Sequence, residues 1–186
     1  MSGRISQLWS NEESRRSLVA AIRGWNSALS QGWPEQLRAA GLLKQIFRRY
    51  DSTPASSAPE TETPTQTIER LLDFPSHRLA VYGSLAPGKK NHHVMAGAQG
   101  TWRQAVLRGS LRNAGWGAGE GFPGFLWDGT SAPVAAQVFS SPDLPQHWQR
   151  LDEFEGREYA RILVPVEIGD GEIEVCNVYA LAERTS

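Results

Sequence analysis

The sequence predicts an α+β protein: an N-terminal helical hairpin followed by a mixed, barrel-like β-sheet with one main helix. Three observations lead there. Apolar residues recur at helical spacing as far as Tyr50, a stretch rich in proline and hydroxyls follows, and beyond it come short apolar runs set off by glycine-rich loops. Many short strands with one helix, and no regular strand-helix alternation, suit a sheet curled on itself better than a doubly wound one.

Each element has its own signal. Ser10-Asn11-Glu12-Glu13 has the Ser-x-x-Glu form of a capping box, and Leu18, Ile22, Trp25 and Leu29 follow on one helical face. Gly32-Trp33-Pro34 ends that helix and opens a second, since proline suits a first helical position. Leu37, Leu43, Ile46, Phe47 and Tyr50 form its stripe. Residues 1–50 are thus expected as a helical extension. Residues 51–67 hold prolines, hydroxyls and acids with almost nothing to bury, so they are expected as a flexible linker. Residues 68–186 are expected as the main domain, entered through a short helix capped by Thr67.

Leu79 to Tyr82, Ala105 to Leu111 and Pro133 to Phe139 read as strands, and Leu144 to Phe154 as the main helix. Arg161 to Ile168 and Ile173 to Leu181 read as a closing hairpin. Pro165 cannot donate to a ladder, which predicts an edge or a bulge there.

Composition limits the functions open to the chain. Its 186 residues are 40% hydrophobic and 21% charged, enough apolar content for a soluble globular core. A net charge of -1 gives nucleic acid or an anionic membrane little to attract, so neither is expected as a partner. The one cysteine, Cys176, allows no internal disulfide, and no Cys/His spacing suggests zinc. No apolar run approaches a membrane-spanning length, and a cytoplasmic setting is the expectation.

Two stretches are candidates for chemistry. In Val81-Tyr82-Gly83-Ser84-Leu85-Ala86-Pro87-Gly88 a strand runs into a glycine-bracketed turn, which can aim successive backbone N–H groups at a carboxylate or an oxyanion. The plain alternative is a tight turn. In Leu151 to Arg161 the carboxylates Asp152, Glu153, Glu155 and Glu158 crowd the end of a helix, where they repel one another and oppose the macrodipole. Glu155 precedes Gly156, the expected C-terminal glycine, so it is free of the face shared by Asp152 and Glu153. The plain alternative is an acidic surface patch. His92 and His93 point apart and make no metal pair, and Ser84 lacks the Gly-x-Ser-x-Gly setting of a nucleophile.

Taken in order, Val81-Tyr82-Gly83-Ser84-Leu85, Gly88 and Asn91-His92, then Leu151-Asp152-Glu153-Phe154-Glu155-Gly156 with Tyr159 and Arg161, resemble the gamma-glutamylcyclotransferase-like family. Within it they look most like the gamma-glutamylamine cyclotransferases. The resemblance implies a small barrel-like α+β fold with a cavity at one end and no cofactor or metal. It implies that Tyr82, Gly83, Ser84 and Leu85, with Tyr159, hold a small-molecule gamma-glutamyl substrate, and that Glu155 is the catalytic acid/base. The implied reaction cyclises the gamma-glutamyl group of an amine or peptide to 5-oxoproline. Ala86-Pro87 stands where many relatives are basic, and Leu85 replaces the asparagine of the glutathione-pathway branch. The resemblance leaves residues 1–50 without a counterpart. Their net charge of +5 suggests a protein partner, and a non-catalytic binding domain carrying this docking extension is the alternative reading.

Overall fold

The computed structural model describes residues 3–50, 61–128, 132–169 and 171–182. It divides into two compact units. One runs to Pro75 and takes in Glu172–Val175, and the other holds Ser76–Gly171 and the chain from Cys176.

The first unit is helical: α1 (Arg4–Ser10), α2 (Glu12–Ala28), α3 (Trp33–Tyr50) and α4 (Pro64–Leu71). The expected cap falls one residue later than Ser10. Asn11 Oδ1 accepts from the amides of Glu13 and Ser14 at 2.9 and 3.2 Å, and Ser10 instead closes α1, a helix too short to show a period. Leu18, Ile22, Trp25, Leu43, Ile46 and Phe47 are buried as the spacing predicts. Leu29, just past the end of α2, and Leu37, inside α3, are exposed and not buried as the spacing predicts.

Of the expected linker, residues 51–60 lie outside the described residues, and from Pro64 the chain is helix. The cap is Thr63 and not Thr67: Thr63 and Gln66 exchange side-chain to backbone hydrogen bonds in a capping box, with Pro64 at the first helical position. Thr67 is buried, its hydroxyl donating to Glu62 at 2.9 Å. Glu62 also takes two bonds from Arg70, at 2.7 and 2.9 Å, which lower its pKa to about 2.

The sheet is a closed barrel in the order β1 (Arg78–Val81), β5 (Pro133–Ser140), β2 (Thr101–Arg108), β6 (Tyr159–Ile168) and β7 (Glu172–Leu181), closed by a parallel contact of Leu79 with Asn177, and all of it but Glu172–Val175 belongs to the second unit. Fold class is therefore as the sequence predicts. Leu107, Phe125, Val138, Val164, Val166, Cys176 and Val178 pack together as one core. Pro165 lies outside the β2–β6 ladder, which joins only Ala105 to Ile168 and Val106 to Glu167, so its missing N–H costs no bond there.

The strand expected from Ala105 to Leu111 breaks at Gly109, where any side chain would strike the Leu126 carbonyl and the Phe125 ring. Beyond it β3 (Ser110–Arg112) leaves the barrel and pairs with β4 (Gly124–Leu126). The main helix divides into a 3-10 turn, Leu144–Gln146, and α5 (Trp148–Glu155). Leu79, Leu144, Trp148 and Leu151 share a second core beneath it. Among the described residues no helix is long and apolar enough to cross a membrane.

Candidate active site

The turn after β1 is held in shape by its own hydrogen bonds. Asn91, buried, donates through Nδ2 to Ser84 Oγ at 2.9 Å and through its backbone N–H to the Ser84 carbonyl at 3.0 Å. His92 Nδ1 donates to the Leu85 carbonyl at 2.9 Å. With its oxygens engaged in this way, the turn presents nitrogen. Among the described residues the backbone N–H groups of Gly83, Ser84 and Leu85 have no hydrogen-bond partner. Successive free amides in a turn form an anion-accepting concavity.

Tyr82 starts this turn. Its hydroxyl donates to the Tyr179 carbonyl at 2.8 Å and accepts from the Phe125 amide at 3.0 Å, joining the end of β1 to β7 and β4. Its ring lines the recess while its hydroxyl holds the walls together.

Glu155 comes from the other side. It is the last residue of α5, and Gly156 at φ 68° turns the chain away, so Glu155 leaves the exposed face of Asp152 and Glu153. Among the described residues its carboxyl has no hydrogen-bond partner, and burial raises its pKa from 4.5 to about 7. A half-buried, unpartnered carboxyl near neutrality is unusual and marks functional sites more often than structural ones. The neighbouring acid is treated differently. Arg161 grips Asp152 at 2.8 and 3.1 Å, lies 4.3 Å over the Trp148 ring, and leaves Asp152 Oδ1 to accept from the Tyr179 hydroxyl at 2.6 Å. This pairing ties α5 to β6 and β7.

A recess gathers these parts. Its lining includes Tyr82, Gly83, Ser84, Leu85, Glu155 and Tyr159, so the residues that the sequence reading singled out come together in space. Burial raises the pKa of the Tyr159 hydroxyl, and the charge of Glu155 raises it further. Among the described residues no group of three or more His, Cys, Asp or Glu is placed to hold a metal ion, His92 and His93 included.

Of one wall the sequence offers only Trp116, one of four tryptophans (with Trp102, Trp127 and Trp148) that could line a cavity but are more often core or rim. Trp116, Gly117, Phe122 and Pro123, from the loop between β3 and β4, roof the recess. Trp116 Nε1 donates to the Glu155 carbonyl at 3.0 Å, and its ring meets Phe154 edge-on at 5.3 Å. Lys90 and Glu120 add an exposed pair at 2.7 Å. Gly115 enters the roof at φ 87°, where a side chain would collide with the Tyr159 hydroxyl. Trp-Gly-Ala-Gly-Glu-Gly is a visible glycine signal, but nothing in it says which strand ends it spans.

Among curated proteins the chain has no match. Solved structures do resemble it. YkqA from Bacillus subtilis is 28% identical, with a TM-score of 0.45 over 56% of this chain and 35% of that one, so the chain spans about a third of its length. An aig2-like protein from Mus musculus is 24% identical, with a TM-score of 0.47 over 59% of this chain and 79% of that one. An uncharacterized protein from Pyrococcus horikoshii is 21% identical, with a TM-score of 0.41 over 57% and 79%. The model of the family described as "Gamma-glutamyl cyclotransferase, AIG2-like" matches residues 79–186, which take in the turn, the end of α5 and the barrel between them. That is more than half of the sequence, and the chain belongs to this gamma-glutamyl cyclotransferase, AIG2-like family.

Proposed function

We propose that the protein is a cofactor-independent cyclotransferase that converts the gamma-glutamyl group of a gamma-glutamyl amine or peptide into 5-oxoproline and releases the amine. Family membership supports cyclotransferase-type chemistry, and the observation that carries the rest is the unpartnered Glu155 carboxyl lining the same recess as the free amides of the Gly83 turn.

The substrate's own alpha-amino nitrogen attacks its gamma-carbonyl carbon. A five-membered lactam forms as the bond from that carbon to the leaving nitrogen breaks. Neither water nor an oxidant enters the balance: starting from the ammonium form, two protons leave the attacking nitrogen, which keeps one in the lactam, and two reach the departing nitrogen, which leaves as an ammonium. Both nitrogens sit on the same tetrahedral carbon, so a single carboxyl serves both transfers, as base and then as acid. Intramolecular attack supplies the rest, since well-aligned reactions of this kind reach effective molarities on the order of 10⁵ M or more.

A pKa near 7 suits Glu155 to this task. It is low enough for a carboxylate to exist at neutral pH and high enough for a proton to be worth taking from an ammonium of pKa about 8. In this reading Tyr82, Gly83, Ser84 and Leu85 hold the gamma-glutamyl group, with the turn's amides on its carboxylate or on the developing oxyanion, and Tyr159 closes the side. Glu155→Gln keeps size and shape. The expected outcome is a folded protein whose 5-oxoproline release falls by about 10²-fold or more. Near-normal release would remove Glu155 from the mechanism, and ligand binding without release by the unaltered protein would point to a non-catalytic binding domain.

A further inference from the structure

The half of the recess that the gamma-glutamyl group leaves free says what the other half of the substrate is. Once Tyr82, the Gly83 turn, Glu155 and Tyr159 are assigned to the reacting end, the lining that remains is apolar residues of β1 with Tyr179, whose hydroxyl is engaged by Asp152, and, from the loop between β3 and β4, Trp116, Gly117, Phe122 and Pro123. Among the described residues no lysine, arginine or histidine lines the recess.

Two of the nearby cations are already engaged. Lys90 pairs with Glu120 at 2.7 Å, and Arg161 is held by Asp152 through two hydrogen bonds. Arg157 lies in the adjoining groove beyond Tyr159, beside Asp152 and Glu153. A leaving group bearing a carboxylate would give up water without gaining a counter-charge, and would face Glu155 besides. A leaving group bearing a second ammonium is no better placed. Glu155 is the only carboxylate lining the recess among the described residues, and it is committed to the ammonium that reacts. An uncharged chain or ring, by contrast, exchanges water for the indole, phenyl and proline surfaces at a gain.

We infer that the amine released here is uncharged beyond its own nitrogen and apolar, an alkyl or arylalkyl amine seated against Trp116, Phe122 and Pro123, and not an amino acid, peptide or diamine. Phe122 is then a specificity-determining residue. The inference rests on the reading of the site given above, and narrows it.

The test is 5-oxoproline release by the full chain from four compounds: the gamma-glutamyl amides of methylamine, phenethylamine and putrescine, and gamma-glutamyl-phenylalanine, which adds only a carboxylate to the phenethyl compound. The expected kcat/KM for the phenethyl compound exceeds each of the others by about ten-fold or more. In Phe122→Ala the ratio of phenethyl to methyl turnover drops toward one. Turnover of the phenylalanine or putrescine compound equal to or above the phenethyl one overturns the inference and leaves the cyclotransferase reading standing. Release from none of the four overturns both.

Discussion

In the proposed mechanism Glu155 ties activity to stability through one proton. Burial raises its pKa from 4.5 to about 7, so between these pH values the folded chain binds a proton that the unfolded chain has lost. Stability therefore falls as pH rises through this window, by about 3 kcal/mol at most, and is level above and below it. Glutamine in its place has no proton to lose. Glu155→Gln is expected to be the more stable protein at pH 8, by about 2–3 kcal/mol, and to match the unaltered chain near pH 4. Urea unfolding at the two pH values measures this. Equal stability at pH 8 would mean that the carboxyl is solvated and has an ordinary pKa. In the proposed mechanism the same ionisation sets the rate: release should rise with pH through a midpoint near 7, because the carboxylate is the form that accepts the proton.

Asn91 belongs to the turn it holds and has no part in the proposed proton transfers. Its side chain fixes the Ser84 hydroxyl and its backbone fixes the Ser84 carbonyl, so the free amides keep their direction without strain in the turn. Asn91→Ala retains the backbone bond and loses the other. A stability cost of about 1 kcal/mol is expected. The larger effect should be on binding: KM rises about five- to ten-fold while kcat changes less, because a loosened turn places the ground state and the transition state alike. Steady-state kinetics separate the two, and an unchanged KM would take the turn out of substrate binding. The end of α5 is held differently, through Asp152, Arg161 and Tyr179, so this variant should leave the pH profile of Glu155 where it is.

Closure of the sheet gives the barrel its uneven stability. With Leu79 meeting Asn177, β1 lies between β5 and β7, and β2 between β5 and β6. The roof between β3 and β4 has no such neighbours; its anchors include an indole hydrogen bond, a ring contact, a backbone hydrogen bond from Gly117 to the Tyr159 hydroxyl and an exposed ion pair of little worth. Within this unit, hydrogen exchange is expected to be slowest in β1, β2 and β5 and fastest across residues 115–123. A roof as protected as the strands would show it to be fixed structure and not an adaptable wall.

What could be read along the chain were features settled within a few residues of one another. The change from helical spacing to short strands, the stop at Gly156 that frees Glu155 from its acidic neighbours, and the glycine-bracketed turn after β1 are all of this kind. Where two local signals competed, the reading slipped by a few residues: Ser10 against Asn11, and Thr67 against Thr63. Other features needed contacts between distant segments. Gly109 breaks a strand because Leu126 and Phe125 come to occupy the space beside it, and Trp116 becomes a wall because the Glu155 carbonyl arrives next to its indole nitrogen. The raised pKa of Glu155 is of the same kind, since an acid's neighbours in the sequence do not say how much water it will lose. Burial is a property of the packed surfaces around a group, and those surfaces exist only after the barrel has closed.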